Sequence, residues 1–146
     1  MSTTFNAETA ENNEEIEQQF AVKAVMYMQT HWELLTRCRG SDLKLTKIDD
    51  DIFEHFKETF PEIDVSKALD EEAMKSKEGK ERWRNFINAY ENKVKDFNFG
   101  TMLRTEPAVE YDQHTTIFSV RMQFYAIEIA RNKLGLNDWI YNEAHP

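Results

Sequence analysis

The run TTIFSVRMQFYAIEIARNKLG, residues 115–135, is apolar on nearly every side of a helix, yet carries Arg121, Gln123, Glu128, Arg131 and Asn132. Read as one helix it makes about five turns and spans roughly 30 Å at about 1.5 Å per residue. At about 100° per residue, Arg121, Glu128 and Asn132 fall on one narrow stripe with Arg131 beside it. A helix that is apolar almost all round belongs in a core. Charges on it must be paired or put to use. The run therefore marks the centre of the fold and places a set of polar groups there.

The remaining elements arrange themselves around it. Ile16, Phe20, Ala24, Tyr27, His31, Leu34 and Cys38 recur at helical spacing, which predicts a first helix over residues 14–38 with Gly40 just past its end. Ile48, Asp49 and Phe53 read as a hydrophobic staple around an N-cap. They open a second helix that carries Ile52, Phe53, Phe56 and Phe60 and stops at Pro61. A short helix is expected within residues 65–74. Trp83, Phe86, Ile87, Tyr90, Val94 and Phe97 predict a third long helix reaching Phe97, with a basic outer face. Asn98, Phe99 and Gly100 break it, and residues 101–113 read as irregular. Gly135 fits the position that ends the central helix, with Leu136 packing back on its last turn. Asn137 and Asp138 then open a short final helix. Leu43 and Leu45 alternate with polar residues, so a minor strand pair with residues 101–103 is a further expectation. The fold class this predicts is mainly α: a single-domain orthogonal bundle of about four main helices over residues 14–140. An unstructured segment, residues 1–13, precedes it, and a tail, residues 141–146, follows.

Charge is unevenly spread. Residues 1–74 hold 17 acids and 7 bases, residues 75–146 hold 10 acids and 11 bases, and the chain as a whole is at −9. That balance argues against non-specific DNA or RNA binding, which needs clustered Lys and Arg, and suits a basic protein partner. Within the neutral half, residues 75–95 carry seven bases against Glu78, Glu81 and Glu91. They adjoin a loop whose Phe99, Met102 and Leu103 belong to the residue types that protein interfaces favour.

The motifs of catalysis are missing. No phosphate-binding or nucleophile-elbow pattern occurs, and there are only four glycines with which to build one. Asp49 and Asp51 form an Asp-x-Asp that metal-dependent sugar transfer could use, but acids at a helix start are also favoured by the helix dipole. His31, His55, His114 and His145 have no His or Cys at helical ligand spacing, and Cys38 stands alone, so no metal site and no disulfide are expected. His31 on an apolar helix face reads as a buried, hydrogen-bonded imidazole, and Glu128 with Arg131 as a structural i, i+3 pair. The amino-terminal residues lack the basic and apolar regions of a signal peptide. Arg121, Glu128 and Arg131 also make a membrane span costly. A soluble intracellular protein, a monomer, not an enzyme and without cofactor, is the expectation.

The blocks KERWRNF (80–86), DFNFGTMLR (96–104) and RMQFYAIEIARNKLGLND (121–138), with QQFAVKAVMYMQTHWELL (18–35) and LTKIDDDIFEHFKETFPE (45–62), resemble the family of polysaccharide biosynthesis domain-containing protein 1, in its short fungal form. The resemblance covers about residues 14–140. It implies a small cytosolic helical protein that acts as a dedicated chaperone of translation elongation factor 1 alpha. In that role it holds the factor's newly made GTPase domain near the ribosome until it folds and binds GTP. Polar identity within these blocks singles out Asn98, Phe99, Gly100, Thr101, Arg104, Arg121, Arg131, Asn132, Asn137 and Asp138 as candidate partner-binding residues. The competing readings are a ribosome-associated protein contacting rRNA through residues 75–95, and a metal-dependent enzyme of polysaccharide synthesis built on Asp49 and Asp51.

Overall fold

The central apolar run is split between two kinds of structure. In the computed structural model, which describes residues 7–146 and the side chains from residue 21 onward, a strand β2 (Thr116–Val120) leads without a turn into helix α5 (Arg121–Lys133). The first half of the run is β-branched and half-buried, which suits a pleated surface, so the single long helix expected over residues 115–135 is corrected here. β2 pairs antiparallel with β1 (Gly100–Arg104), Thr101 opposite Ser119 and Leu103 opposite Ile117. The expectation of a small strand pair thus holds for residues 101–103, but their partner is β2 and not Leu43 and Leu45. Residues 101–104, expected to be irregular, are β1. The architecture is a mixed fold of six helices and one two-stranded sheet among the described residues, not an all-helical bundle.

α5 is the hub. Met122, Ala126, Ile127, Ile129 and Ala130 are buried along it, and it ends as the sequence predicts: Gly135 takes φ 73°, Leu136 N–H donates to Arg131 C=O and Gly135 N–H to Asn132 C=O, a Schellman closure. α1 (Ala7–Arg37) starts before the expected residue 14 and presents Ala24, His31 and Leu35 inward. Residues 1–6, part of the segment expected to be unstructured, lie outside the described residues. α2 (Asp49–Thr59) packs Ile52 and Phe56 against α5. α3 (Glu71–Lys75) starts later than the short helix expected within residues 65–74. α4 (Lys77–Asn88) buries Trp83 and Phe86, and the Phe60 ring stacks on Trp83 at 4.1 Å. α6 (Asp138–Ala144) closes the chain onto α1.

Two local expectations are revised by packing. α4 stops at Asn88, although the apolar spacing continues to Phe97. Residues 89–98 instead turn, with Asp96 at φ 58°, so that Phe97 and Phe99 can offer their C=O groups to Met122 and Arg121 N–H at the start of α5. Asp49 is the first residue of α2, not its N-cap, and its carboxylate faces backward. It accepts from Leu45 N–H, Thr46 N–H and the Thr46 hydroxyl at 2.5–2.8 Å, bracing the connector.

Gly40 is needed for closeness rather than for a left-handed cap. It opens a single 3-10 turn (Gly40–Asp42), and a Cβ there would lie 2.5 Å from Asn132 Oδ1 and 2.9 Å from Asn137 Cβ. Gly40→Ala is expected to cost about 1–3 kcal/mol, the usual penalty of overpacking. A loss of unfolding free energy in urea titration below about one tenth of that would show that the neighbouring asparagines move aside freely.

Candidate interaction surface over a buried ionic core

Four of the candidate residues, Arg104, Arg131, Asn132 and Asn137, form a buried cluster with Glu128. Arg104, at the end of β1, Arg131 and Glu128 on α5, and Asn137 before α6 have no solvent exposure, and Asn132 is nearly as deep. Arg104 donates from Nη2 to both oxygens of Glu128, at 3.0 and 3.1 Å, and to Asn137 Oδ1 at 2.6 Å; from Nη1 it donates to the C=O groups of Pro107 and Val109. Arg131 Nη1 reaches Glu128 Oε2 at 3.3 Å. Asn137 Nδ2 donates to Glu128 Oε1 at 3.0 Å and to Asn132 Oδ1 at 2.7 Å. One carboxylate therefore holds two guanidiniums and an amide.

Aromatic side chains roof this cluster. The Arg104 guanidinium lies 5.8 Å from the Trp32 ring and 5.7 Å from Tyr111, and Trp139 Nε1–H donates to Pro107 C=O. His31, 4% exposed, shares a hydrogen bond of 2.8 Å between Nδ1 and the Tyr111 hydroxyl, as its place on an apolar face predicts. Burial would push the Glu128 carboxyl up, but Arg104 and Arg131 together outweigh it and hold it at about 2. Burial drives the His31 imidazole down to about 4, and pushes the Tyr111 phenol upward. Groups this deep hold loop 105–115, β1, α5 and α6 together. They do not touch a partner while the fold is closed.

The other candidates lie outside this cluster, and all but Thr101 are closer to the surface. Thr101 faces inward, 4% exposed. Asp138 accepts from Ser41 N–H and Oγ–H, tying the 3-10 turn to α6. Arg121 is half-buried: its guanidinium lies 4.5 Å from the Tyr27 ring, its Nε donates to the Tyr125 hydroxyl, and Asp96 is 4.0 Å away. Phe99 is half-buried with the Lys23 ammonium 5.8 Å from its ring. Asn98 is exposed, and Gly100 lies under the Phe118 ring, where a Cβ would collide with it.

Phe118 is the residue that sequence reasoning missed. It is 60% exposed on β2. A groove beside it is floored by Ile87, Ile117 and Val120 and walled by Lys75, Lys80 and Arg84. The basic outer face expected over residues 75–95 thus meets an apolar floor. The alternation Ile117-Phe118-Ser119 carried the signal, had the run been read with a period of two. A second exposed apolar row, Val22, Val25 and Met26, lies along α1. Among the described residues no group of three or more His, Cys, Asp or Glu converges for a metal, and no helix is long and apolar enough to cross a membrane.

The chain resembles known proteins over nearly its whole length. The family model described as PBDC1 protein matches residues 16–142. A PBDC1 homolog of Saccharomyces cerevisiae is 58% identical over 144 residues, covering 97% of this chain and 99% of that one. Human PBDC1 is 39% identical over 135 residues, which cover 92% of this chain and 58% of the human protein. A solution NMR structure of a Saccharomyces cerevisiae protein, 59% identical, superposes with a TM-score of 0.82 over 97% of this chain and 99% of that one. The chain belongs to the PBDC1 family.

Proposed function

We propose that this protein is a non-enzymatic, cytoplasmic chaperone that binds the GTPase domain of newly made translation elongation factor 1 alpha and releases it when the domain folds and binds GTP. The family resemblance supplies the client. What supports a binding role in the molecule is the contrast between a core whose charges are spent on one another and a surface that leaves Phe118, Val22, Val25 and Met26 exposed. Loop 105–115, β1 and α5 are fastened by the ionic cluster, so the groove beside Phe118 is presented by a rigid frame, which lowers the ordering cost of association.

Neither the polysaccharide-enzyme reading nor a catalytic role for Asp49 gains support. Both oxygens of Asp49 are engaged by Leu45 and Thr46, and Asp51 is exposed. Release follows from a population shift: GTP stabilises the folded client, for which the chaperone has lower affinity.

The test is the affinity of the purified protein for a nascent-like, nucleotide-free GTPase domain of the factor, measured with and without GTP. The expected result is binding that weakens about tenfold or more with GTP, a differential affinity of about 1.4 kcal/mol. An affinity unchanged by GTP removes the release mechanism. Capture of ribosomes alone, with binding that collapses as salt rises, replaces the chaperone with an rRNA-contacting protein.

A further inference from the structure

The two-stranded sheet has an open edge, and its polarity is fixed by bonds on either side of it. Thr105 N–H donates to Thr115 C=O, and Arg121 N–H to Phe99 C=O. In an antiparallel ladder the bonded pairs recur every second residue. With the register observed, residues 117 and 119 therefore direct their peptide groups at β1, and residues 116, 118 and 120 direct theirs away from it. Among the described residues no strand lies beyond β2. Val120 N–H is taken by Gln123 Oε1, which leaves the peptide groups of Thr116 and Phe118 as an edge unpaired among the described residues. Such edges are templates for strand addition unless they are guarded. This one carries an exposed Phe and no charged residue along Thr116–Val120.

The groove beside it determines what could pair there. Lys80 and Arg84 stand four residues apart on α4 and have no ion-pair partner among the described residues. Lys75 is held by Glu71 at 2.8 Å. In a chain at −9, these cations line the same groove as Ile117, Phe118 and Val120. We propose that the edge of β2 docks an extended acidic segment of a protein partner, which adds as a third strand and lays its carboxylates along Lys80 and Arg84. Main-chain bonds to Thr116 and Phe118 supply the pairing, and the basic wall and the Phe118 ring select the sequence. A peptide backbone complements this edge, whereas a phosphodiester chain does not, because it has no N–H and C=O groups to pair with it. This deepens the client-binding reading above and uses its client as one arm of the test.

The Phe118→Pro variant separates edge from side chain. Proline removes the 118 N–H, which β1 does not use, and Ile117 before it is already extended, so the ladder to β1 survives. The experiment titrates the ¹⁵N-labelled full-length protein with a capped peptide alternating Val and Glu, its Val–Lys counterpart, and an oligouridine. The expected result is shifted and exchange-protected Thr116 and Phe118 amides with the Val–Glu peptide alone. Binding should fall about tenfold or more in Phe118→Pro, fall less in Phe118→Ala, and reverse its charge preference in Lys80→Glu/Arg84→Glu. Unchanged α5 amide shifts confirm that the variants fold. Shifts that avoid β2, equal binding by Phe118→Pro, or the same shifts with oligouridine overturn the proposal. The factor's GTPase domain then separates the two readings. If it binds wild type and Phe118→Pro alike, the client stands and the edge falls; if the peptide docks on β2 but the domain does not bind, the edge stands and the client falls.

Discussion

Glu128→Ala is expected to unfold this protein, or to leave it molten, at room temperature. The Glu128 carboxylate is fully buried and holds Arg104 at 3.0 Å and Arg131 at 3.3 Å. Deleting it strands two guanidiniums in the interior and removes one of the two acceptors of Asn137 Nδ2. Breaking a buried pair by removing one partner costs about 3–5 kcal/mol, and here a single deletion breaks two. Domains are typically stable by about 5–15 kcal/mol, so the loss consumes much of the margin. The cluster already holds two cations against one anion, with Arg104 Nε and Arg131 Nη2 lacking a hydrogen-bond partner among the described residues. No spare carboxylate takes over. The cost should be strongly non-additive: Arg104→Met/Glu128→Leu/Arg131→Met, which removes every charge together, should recover most of the stability that Glu128→Ala loses. Circular dichroism melts of the single and triple variants decide it. A Glu128→Ala protein that melts within a few degrees of wild type would mean that the cluster does not hold the fold.

That cluster also shows where sequence reading reaches and where it stops. The i, i+3 relation of Glu128 and Arg131 is local and was legible, as was the closure at Gly135, because helical spacing fixes both. The second partner, Arg104, is not local. It reaches Glu128 only because β1 pairs with β2, and that strand is hidden inside a run whose apolar residues continue into α5 without a turn residue between them. Once β2 is mistaken for helix, Arg104 falls in a loop and reads as a surface binder. Arg131, Asn132 and Asn137 suffer the same confusion, because a polar residue required for burial and one required for binding look alike in one sequence. The reverse error hides Phe118, which counts as core within an apolar helix but is exposed on a strand. The basic face of α4 was legible in composition; that it borders an open sheet edge follows only from the register.

Stability should fall in two steps on acidification, and His31 should set the first. Burial against Phe124, whose ring centroid is 4.7 Å away, is the main cause of its lowered pKa. Glu128 opposes that shift, and Arg104 and Arg131 reinforce it, so that it comes to about 4 from an ordinary 6.5. Between those values the unfolded chain binds a proton that the folded one refuses. The stabilisation is therefore complete above about pH 6.5 and is lost as pH falls toward 4, amounting to about 3 kcal/mol. Glu128 extends the loss downward. Its folded carboxyl titrates at about 2 against an ordinary 4.5, so its contribution is present above about pH 4.5 and disappears as pH drops to 2. The two windows adjoin, and acid should unfold the protein through the ionic core rather than through its surface. Urea midpoints measured from pH 7.5 to pH 4.5 check the upper window, with His31→Gln as the comparison. The variant loses some stability at every pH, because Gln fills the site imperfectly, but its midpoint should vary less across this range. The difference in slope between the two proteins isolates the imidazole from every other titrating group. Parallel slopes would place the acid sensitivity elsewhere. A variant whose slope flattens identifies His31 as the proton-binding site through which mild acid loosens the contact between α1 and loop 105–115.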